Sequence, residues 1–368
     1  MTKTSDHIVM LFDLDYFYAQ VEEVRNPAIR GKPVLVCVYS GRTQDSGVIS
    51  TANYIARRYG VRSGMPIVLA KRKLKDVDSI FLPVDHDLYK SVSDRVMAIL
   101  KGNADILEQV SIDEAYMDVT AKVGDSFPKA MELAMAIKKE VLEKEKLTAS
   151  IGIGPNKLVA KIAADSMKPD GITLVMPEEV RAFLSPLPAE RLIGVGRKTS
   201  QRLEGMGLKT IGDLATVDLG ELRREFGDSL GTFLHNASRG MDEEAVHERG
   251  ETDSISRIVT LKEDTKDPSA VIAVTDRLCA EVHERLRQRR LSFRTVGVVA
   301  IMRDLSIQTR AKTLTEPTDD LAVLRRTAAE LMERLLRESN RYVRRAGVKV
   351  SGLATEKRAQ RSLTSFFQ

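Results

Sequence analysis

Five consecutive residues, Ser111-Ile112-Asp113-Glu114-Ala115, and the distant Asp13 are the groups in this chain that could do chemistry together. Val110 and Ile112 alternate with polar neighbours upstream, and Ala115, Met117 and Val119 do the same downstream. That period of two predicts two half-buried strands meeting near 113–114. Adjacent residues on a straight strand face opposite ways, so neighbouring carboxylates converge only where the chain bends, as at a hairpin tip. Ile8-Val9-Met10-Leu11-Phe12 is an unbroken apolar run, as in a fully buried strand, and it ends abruptly in Asp13. Three carboxylates gathered at such places repel one another unless a cation neutralises them. Hard oxygen ligands suit magnesium, which keeps open positions for water and substrate phosphates. The competing reading is three unrelated surface acids at strand ends.

The elements that must position these groups follow from the same periodicities. Residues 8–13 read as the first strand, 16–24 as a helix, and Val34 to Tyr39 as a second buried strand. Val48 to Thr51 leads into a helix from Ala52 to Tyr59, closed by Gly60 as a C-cap. A helix over 88–101, the hairpin at 106–119 and a helix over 128–145 come next, the last with Pro128 in its first turn. Thr148 to Ile153 reads as a strand and 156–166 as a helix. Antiparallel strands covered by helices make the fold class α+β, not a doubly wound sheet. Gly152-Ile153-Gly154-Pro155-Asn156-Lys157 lacks the glycine spacing and the final Lys-Ser/Thr of a phosphate loop, so it reads as a strand-to-helix turn. Residues 176–242 change texture to short helical segments punctuated by glycine. Within them, Gly194-Val195-Gly196 followed by Arg197 and Lys198 resembles a helix-hairpin-helix, whose turn offers backbone N–H groups to a DNA phosphate. A plain helix–helix turn with glycine caps is the bland alternative. Residues 243–254 form a polar, acidic linker, and 255–353 read as β-α-β-β-α-β.

A chain of 368 residues exceeds one ordinary core and predicts several domains. Apolar content of 43% and charged content of 30% are those of a globular protein. There is no run of eighteen apolar residues, which excludes a membrane-spanning helix, and the first residues lack a secretory apolar segment. Only Cys37 and Cys279 occur, far apart, which speaks against a disulfide framework or zinc site and for a reducing cytoplasm. The net charge of +5 is uneven: residues 255–368 carry 23 basic and 14 acidic side chains, so the rest of the chain is net negative. A basic final module beside an acidic one suggests that the former holds a polyanion, against the alternative of a merely solvated basic face.

Asp13-Leu14-Asp15-Tyr16-Phe17-Tyr18-Ala19-Gln20-Val21-Glu22, Thr51-Ala52-Asn53-Tyr54, Arg57, Gly60 and Ser111-Ile112-Asp113-Glu114 together resemble the signatures of Y-family DNA polymerases. The similarity is greatest to the DNA polymerase IV branch, particularly its archaeal members, and it runs from about residue 8 to 353. The resemblance implies a right-hand polymerase: palm at 1–16 and 83–175, small fingers at 17–82, and a helical thumb at 176–242. A little-finger domain at 255–353 would lie along the duplex. It implies template-directed, error-prone extension of a primer past damaged bases, without a proofreading exonuclease. Asp13, Asp113, Glu114 and the Leu14 carbonyl would hold two magnesium ions. Tyr16, Phe17, Thr51, Tyr54, Arg57 and Lys168 would meet the incoming deoxynucleoside triphosphate, and Tyr18 would be the steric gate that leaves no room for a 2′-hydroxyl. Gly194, Gly196, Arg197 and Lys198 would contact primer–template DNA. The chain would act as a cytoplasmic monomer. Its linker departs from the basic linker of the best-known archaeal relatives.

The tail adds one partner. Gln360, Leu363, Phe366 and Phe367, within 354–368, resemble the motif that docks in sliding clamps, and the double aromatic suits a PCNA-type ring. Two readings compete with polymerase. A nucleotidyl cyclase could use the same carboxylates but needs no helix-hairpin-helix, basic final domain or clamp tail. A non-catalytic DNA-binding scaffold would have no use for all three carboxylates and Tyr18.

Overall fold

The apolar run at the N-terminus needs no polar face because its strand is covered on both sides. In the computed structural model, which describes residues 7–248, 250 and 253–355, Val9–Leu14 (β1) is buried along its whole length. After it come α1 (Phe17–Arg25), β2 (Val34–Tyr39), β3 (Gly47–Ala52), α2 (Tyr54–Arg58), α3 (Ile67–Lys73), β4 (Ile80–Pro83) and α4 (His86–Gly102). Next are β5 (Ile106–Gln109), β6 (Glu114–Asp118), α5 (Thr120–Val123), α6 (Phe127–Glu145), β7 (Ala149–Gly154), α7 (Lys157–Ser166) and β8 (Ile172–Leu174). Five of these strands form one sheet in the order β5-β6-β1-β7-β8. In it β1 is antiparallel to both β6 and β7, while β8 lies parallel to β7.

One face of this sheet, through Met10, Phe12, Ala115 and Met117, packs on apolar residues of α4 and α6 such as Val96, Leu100, Ala134 and Ile137. The other face, through Val9, Leu11 and Tyr116, meets Ala160 and Ala164 of α7, and Val246. β6 is therefore buried on both faces, with Ala115, Tyr116, Met117 and Asp118 all inaccessible. This corrects the half-buried strand expected from its alternation: Tyr116 faces a second layer whose presence local sequence does not announce, and Asp118 is covered by His7 and Thr120. Gly152 explains how closely that layer sits. A Cβ there would lie 2.0 Å from the Ala160 carbonyl oxygen, so β7 and α7 touch backbone to backbone.

A smaller sheet, ordered β3-β2-β4 with β2 parallel to β4, closes its own core around Leu35, Ile49, Ala56, Ile67 and Ala70. α3 and β4 in this region have no counterpart in the expected elements. A helical cluster follows: α8 (Val180–Leu184), α9 (Arg197–Gly205), α10 (Ile211–Thr216), α11 (Leu219–Phe226) and α12 (Asp228–Ala237). Its core gathers Leu184, Leu203, Leu214, Leu222 and Leu234.

The stretch read as a polar linker begins firmly attached. Val246 is 4% exposed beneath the main sheet. The Asp242 carboxylate accepts the Leu158 N–H at 3.0 Å, and Lys157 Nζ binds Glu244 at 2.6 Å and Glu108 at 2.9 and 3.0 Å. Glu108, Glu244 and His247 lie close enough to hold a cation, and the Lys157 ammonium is already that cation. Lys157 and Glu108 are each only 7% exposed at the side chain. Removing one partner of a buried pair strands the other charge, so Lys157→Met is expected to cost about 3 kcal/mol in urea denaturation. A loss within experimental error would show the pair to be of no structural weight.

The final element set is β9 (Ser254–Thr265), α13 (Pro268–Gln288), β10 (Leu291–Met302), β11 (Ile307–Thr318), α14 (Leu321–Ser339) and β12 (Val343–Ser351). That is the expected β-α-β-β-α-β, folded as an antiparallel sheet in the order β11-β10-β12-β9. One face packs on both helices through Val296, Val298, Ala346 and Val348. The described residues divide into two compact units, 7–38 with 47–248, and 39–46 with 250 and 253–355. Among them no helix is long and apolar enough to cross a membrane.

Candidate active site

Register, not proximity in sequence, brings the carboxylates together. In the antiparallel pairing of β1 with β6, Asp13 stands directly opposite Glu114. Directly opposed residues share a face of the sheet with their Cβ atoms about 5 Å apart. Asp113 is drawn to the same end because the Leu14 N–H donates to its carbonyl at 2.9 Å. The bend is visible in the hydrogen bonds: the Val110 and Ser111 N–H groups both donate to the Glu114 carbonyl, at 3.0 and 3.1 Å. The Ser111 hydroxyl also donates to the Asp113 carboxylate.

Two lysines enter this acidic corner from α7 and from the turn after it. Lys161 Nζ lies 2.9 Å from Glu114 Oε1 and 3.3 Å from Asp13 Oδ2. Lys168 Nζ lies 2.6 Å from Asp13 Oδ2 and 2.8 Å from Asp165 Oδ1. Burial works against both ammonium groups, yet the surrounding carboxylates outweigh it and raise their pKa values. Burial also raises the pKa of Glu114, opposed by its hydrogen bond to Lys161. An ammonium already seated between Asp13 and Glu114 shows that the corner accepts a cation, and its all-oxygen donors are those a hard divalent ion takes.

Asp15 is the buried anchor of the lysine-bearing turn. At 1% exposed, it accepts the Thr148 hydroxyl at 2.9 Å, the Ser150 hydroxyl at 2.8 Å and the Asp170 N–H at 2.9 Å. Gly171 closes that turn where no other residue fits, since a Cβ would lie 2.2 Å from the Met167 carbonyl oxygen. Asp15→Ala is therefore expected to lower the melting temperature by several degrees. An unchanged melting temperature would show that Asp15 does not hold the turn.

The aromatic residues divide by what they pack against. Tyr16 meets Tyr54 edge to face, with ring centroids 5.4 Å apart, and Arg57 lies over the Tyr54 ring at 4.7 Å. Burial raises the Tyr54 pKa, and the charges felt there include Asp15, Arg57, Lys168 and Asp13, which places this phenol beside the acidic corner. Glu23 joins the two elements, accepting from the Tyr16 hydroxyl at 3.2 Å and the Asn53 amide at 2.7 Å. The Asn53 side chain in turn caps α2. Thr51 is half-buried near the end of β3. Phe17 turns into the core at 2% exposed, so its ring is not open to a ligand. Tyr18 stacks on Tyr89 at 4.2 Å and 15°, and Tyr89 is pinned by its hydroxyl to Glu22 at 2.7 Å. Burial first and the Asp113 charge second raise the Tyr18 pKa.

Gly194 lies in the left-handed region at φ 85°, and Gly196, the N-cap of α9, offers no side-chain cap to the first-turn N–H groups of that helix. Arg197 and Lys198 are exposed beside them. The segment before the turn is a single 3-10 turn, Ala189–Arg191, rather than a full helix. Gln360, Leu363, Phe366 and Phe367 lie outside the described residues. Sequence reasoning missed Lys161, Asp165, Asp15, Glu23 and Tyr89. Charged residues at 157, 161 and 165, one helical turn apart on an otherwise apolar helix, were the available signal for the first two.

Acidic groups meet on the adjacent strands β1 and β6 of a mostly antiparallel, helix-backed sheet, with a lysine-bearing turn beside them, an arrangement consistent with the right-hand polymerase class that the resemblance implies. Family models agree with that class. The impB/mucB/samB family matches residues 12–165, its C-terminal domain matches 252–363, and the DNA polymerase-iota thumb domain matches 190–242. DNA polymerase IV of Nitrosopumilus maritimus is 47% identical over 98% of this chain and 99% of its own. DNA polymerase IV 1 of Methanosarcina mazei is 44% identical over the same shares. Among solved structures, a Y-family DNA polymerase chimera of Dbh and Dpo4 is 37% identical, with a TM-score of 0.89 over 95% of this chain and 99% of that one. An insertion ternary complex of Dbh DNA polymerase gives 0.70 over the same shares at 37% identity. The chain belongs to the Y-family DNA polymerases, in the DNA polymerase IV branch of archaeal type.

Proposed function

We infer that this chain is a template-directed DNA polymerase that adds deoxynucleotides to a primer end and tolerates damaged templates. The observation carrying that reading is the meeting of Asp13 and Glu114 across β1 and β6, in a chain related over nearly its full length to DNA polymerases. Asp13, Asp113, Glu114 and the Leu14 carbonyl would hold magnesium, which when bound lowers the pKa of a hydroxyl and offsets charge on a transferred phosphoryl group. The protein's own residues supply positioning. Lys168, on a turn fixed by Asp15, can pass from Asp13 to a triphosphate oxygen. Tyr54 and Arg57, coupled through ring and guanidinium, present a donor pair to the same phosphates. Tyr18 walls off the sugar, supported from behind by Tyr89.

The five-stranded sheet and its helices serve as palm, the three-stranded module as fingers, and the cluster from α8 to α12 as thumb. The β9–β12 sheet serves as little finger, its Lys349 exposed and Arg345 half-buried on the face away from the helices. Phosphate contacts at Gly194 to Lys198 would hold primer–template without reading sequence. Action as a monomer is part of the same reading. Docking of the tail on a PCNA-type clamp rests on Gln360, Leu363, Phe366 and Phe367, and the chain would act in the cytoplasm. Primer extension on undamaged and abasic templates, with magnesium and each nucleotide singly, tests the reading. Templated incorporation is expected; template-independent cyclisation of a nucleotide, or binding without extension, would replace it.

A further inference from the structure

We propose that Lys161 is a resident counter-ion of the carboxylate corner, holding Asp13 and Glu114 together until a divalent ion displaces it. This rests on the metal-site reading above. Opposed like charges on neighbouring strands repel. Lys161 spans both of them, whereas Lys168 reaches Asp13 and Asp165. Its position is not adjustable at the backbone, because α7 sits directly on β7 at Gly152 and Ala160. The ammonium alone can move, and it has somewhere to go. Asp165, one turn further along α7, has a carboxylate oxygen 3.8 Å from Lys161 Nζ and is itself more exposed than Asp13. An arriving ion that takes Asp13 and Glu114 therefore exchanges with a tethered cation, which retreats towards Asp165. The exchange weakens metal binding in the absence of nucleotide. It also keeps the carboxylates aligned for the ion.

The test uses full-length protein without DNA or nucleotide and titrates Mn2+ by electron paramagnetic resonance, with Mg2+ as competitor. Lys161→Met is expected to bind at least about tenfold more tightly than the natural chain, since a competing unit charge in contact is removed. Lys161→Arg, which keeps the charge, is expected to stay near the natural affinity. Thermal melting should show Lys161→Met less stable without metal and raised more by Mg2+ than the natural chain. Unchanged or weaker binding by Lys161→Met would overturn the proposal. If neither chain binds metal even with primer–template and nucleotide present, the metal-site reading itself fails. Should the variant not fold, NMR of lysine Nζ in the natural protein decides: a Lys161 signal that shifts on adding Mg2+ supports exchange, and an unmoved one refutes it.

Discussion

Asp113→Ala is expected to reduce primer extension at least about 10³-fold, or about 4 kcal/mol of transition-state stabilisation, with DNA affinity unchanged. Among the three carboxylates this one isolates the chemistry best. Asp13 neutralises two lysines and Glu114 one, so truncating either would disturb the resting charge balance as well as the reaction. Asp113 is instead satisfied by the neighbouring Ser111 hydroxyl and held by its own backbone at Leu14. Its side chain can be removed without stranding a buried cation. Single-turnover extension alongside a DNA-binding titration checks this. A variant that still extends primers at a tenth of the natural rate would remove Asp113 from the site.

Tyr18→Ala is expected to raise ribonucleotide incorporation, relative to the matching deoxynucleotide, by about 10–100-fold. The basis is steric. Forcing an extra group into a filled space costs about 1–3 kcal/mol, or about 5–150-fold, a span that contains the expected change. Tyr18 can exact this cost only if its ring cannot retreat. The Tyr89 ring stacked behind it, and the hydrogen bond that fixes Tyr89 to Glu22, close that route. Tyr18→Phe should keep the natural selectivity, because the ring and not the hydroxyl makes the wall. Competitive incorporation of paired ribo- and deoxynucleotides gives the ratio directly. Equal selectivity in the alanine variant would reject the gate.

The β-α-β-β-α-β order of the second unit was legible because each of its elements is long and keeps its own period; β10 alternates buried and half-buried residues over most of its length. β1 was legible for the opposite reason, a run with no polar face at all. What escaped was whatever depends on a partner far along the chain. β4, four residues long, is a strand only because β2 pairs with it in parallel, and nothing within Ile80–Pro83 requires that. The alternation around 115–119 suggested one wet face, yet α7 and Val246 cover it. The linker looked free because its residues are polar, yet Val246 among them is buried and Glu244 is paired with Lys157, both with partners far back in the chain. In the site, the motif residues carried their own signature through resemblance. Lys161 and Asp165 did not, since a lysine and an aspartate one turn apart look like an ordinary exposed pair until the helix proves buried on its other sides.

The most direct measurement is a crystal structure of the chain with primer–template, a non-reacting deoxynucleotide and Mg2+. Asp13, Asp113 and Glu114 are all expected to ligate the bound ions, with Lys168 on the triphosphate and Tyr18 against the sugar. Ions seated elsewhere, with Asp13 and Glu114 still paired to lysines alone, would show that these carboxylates are not the metal site.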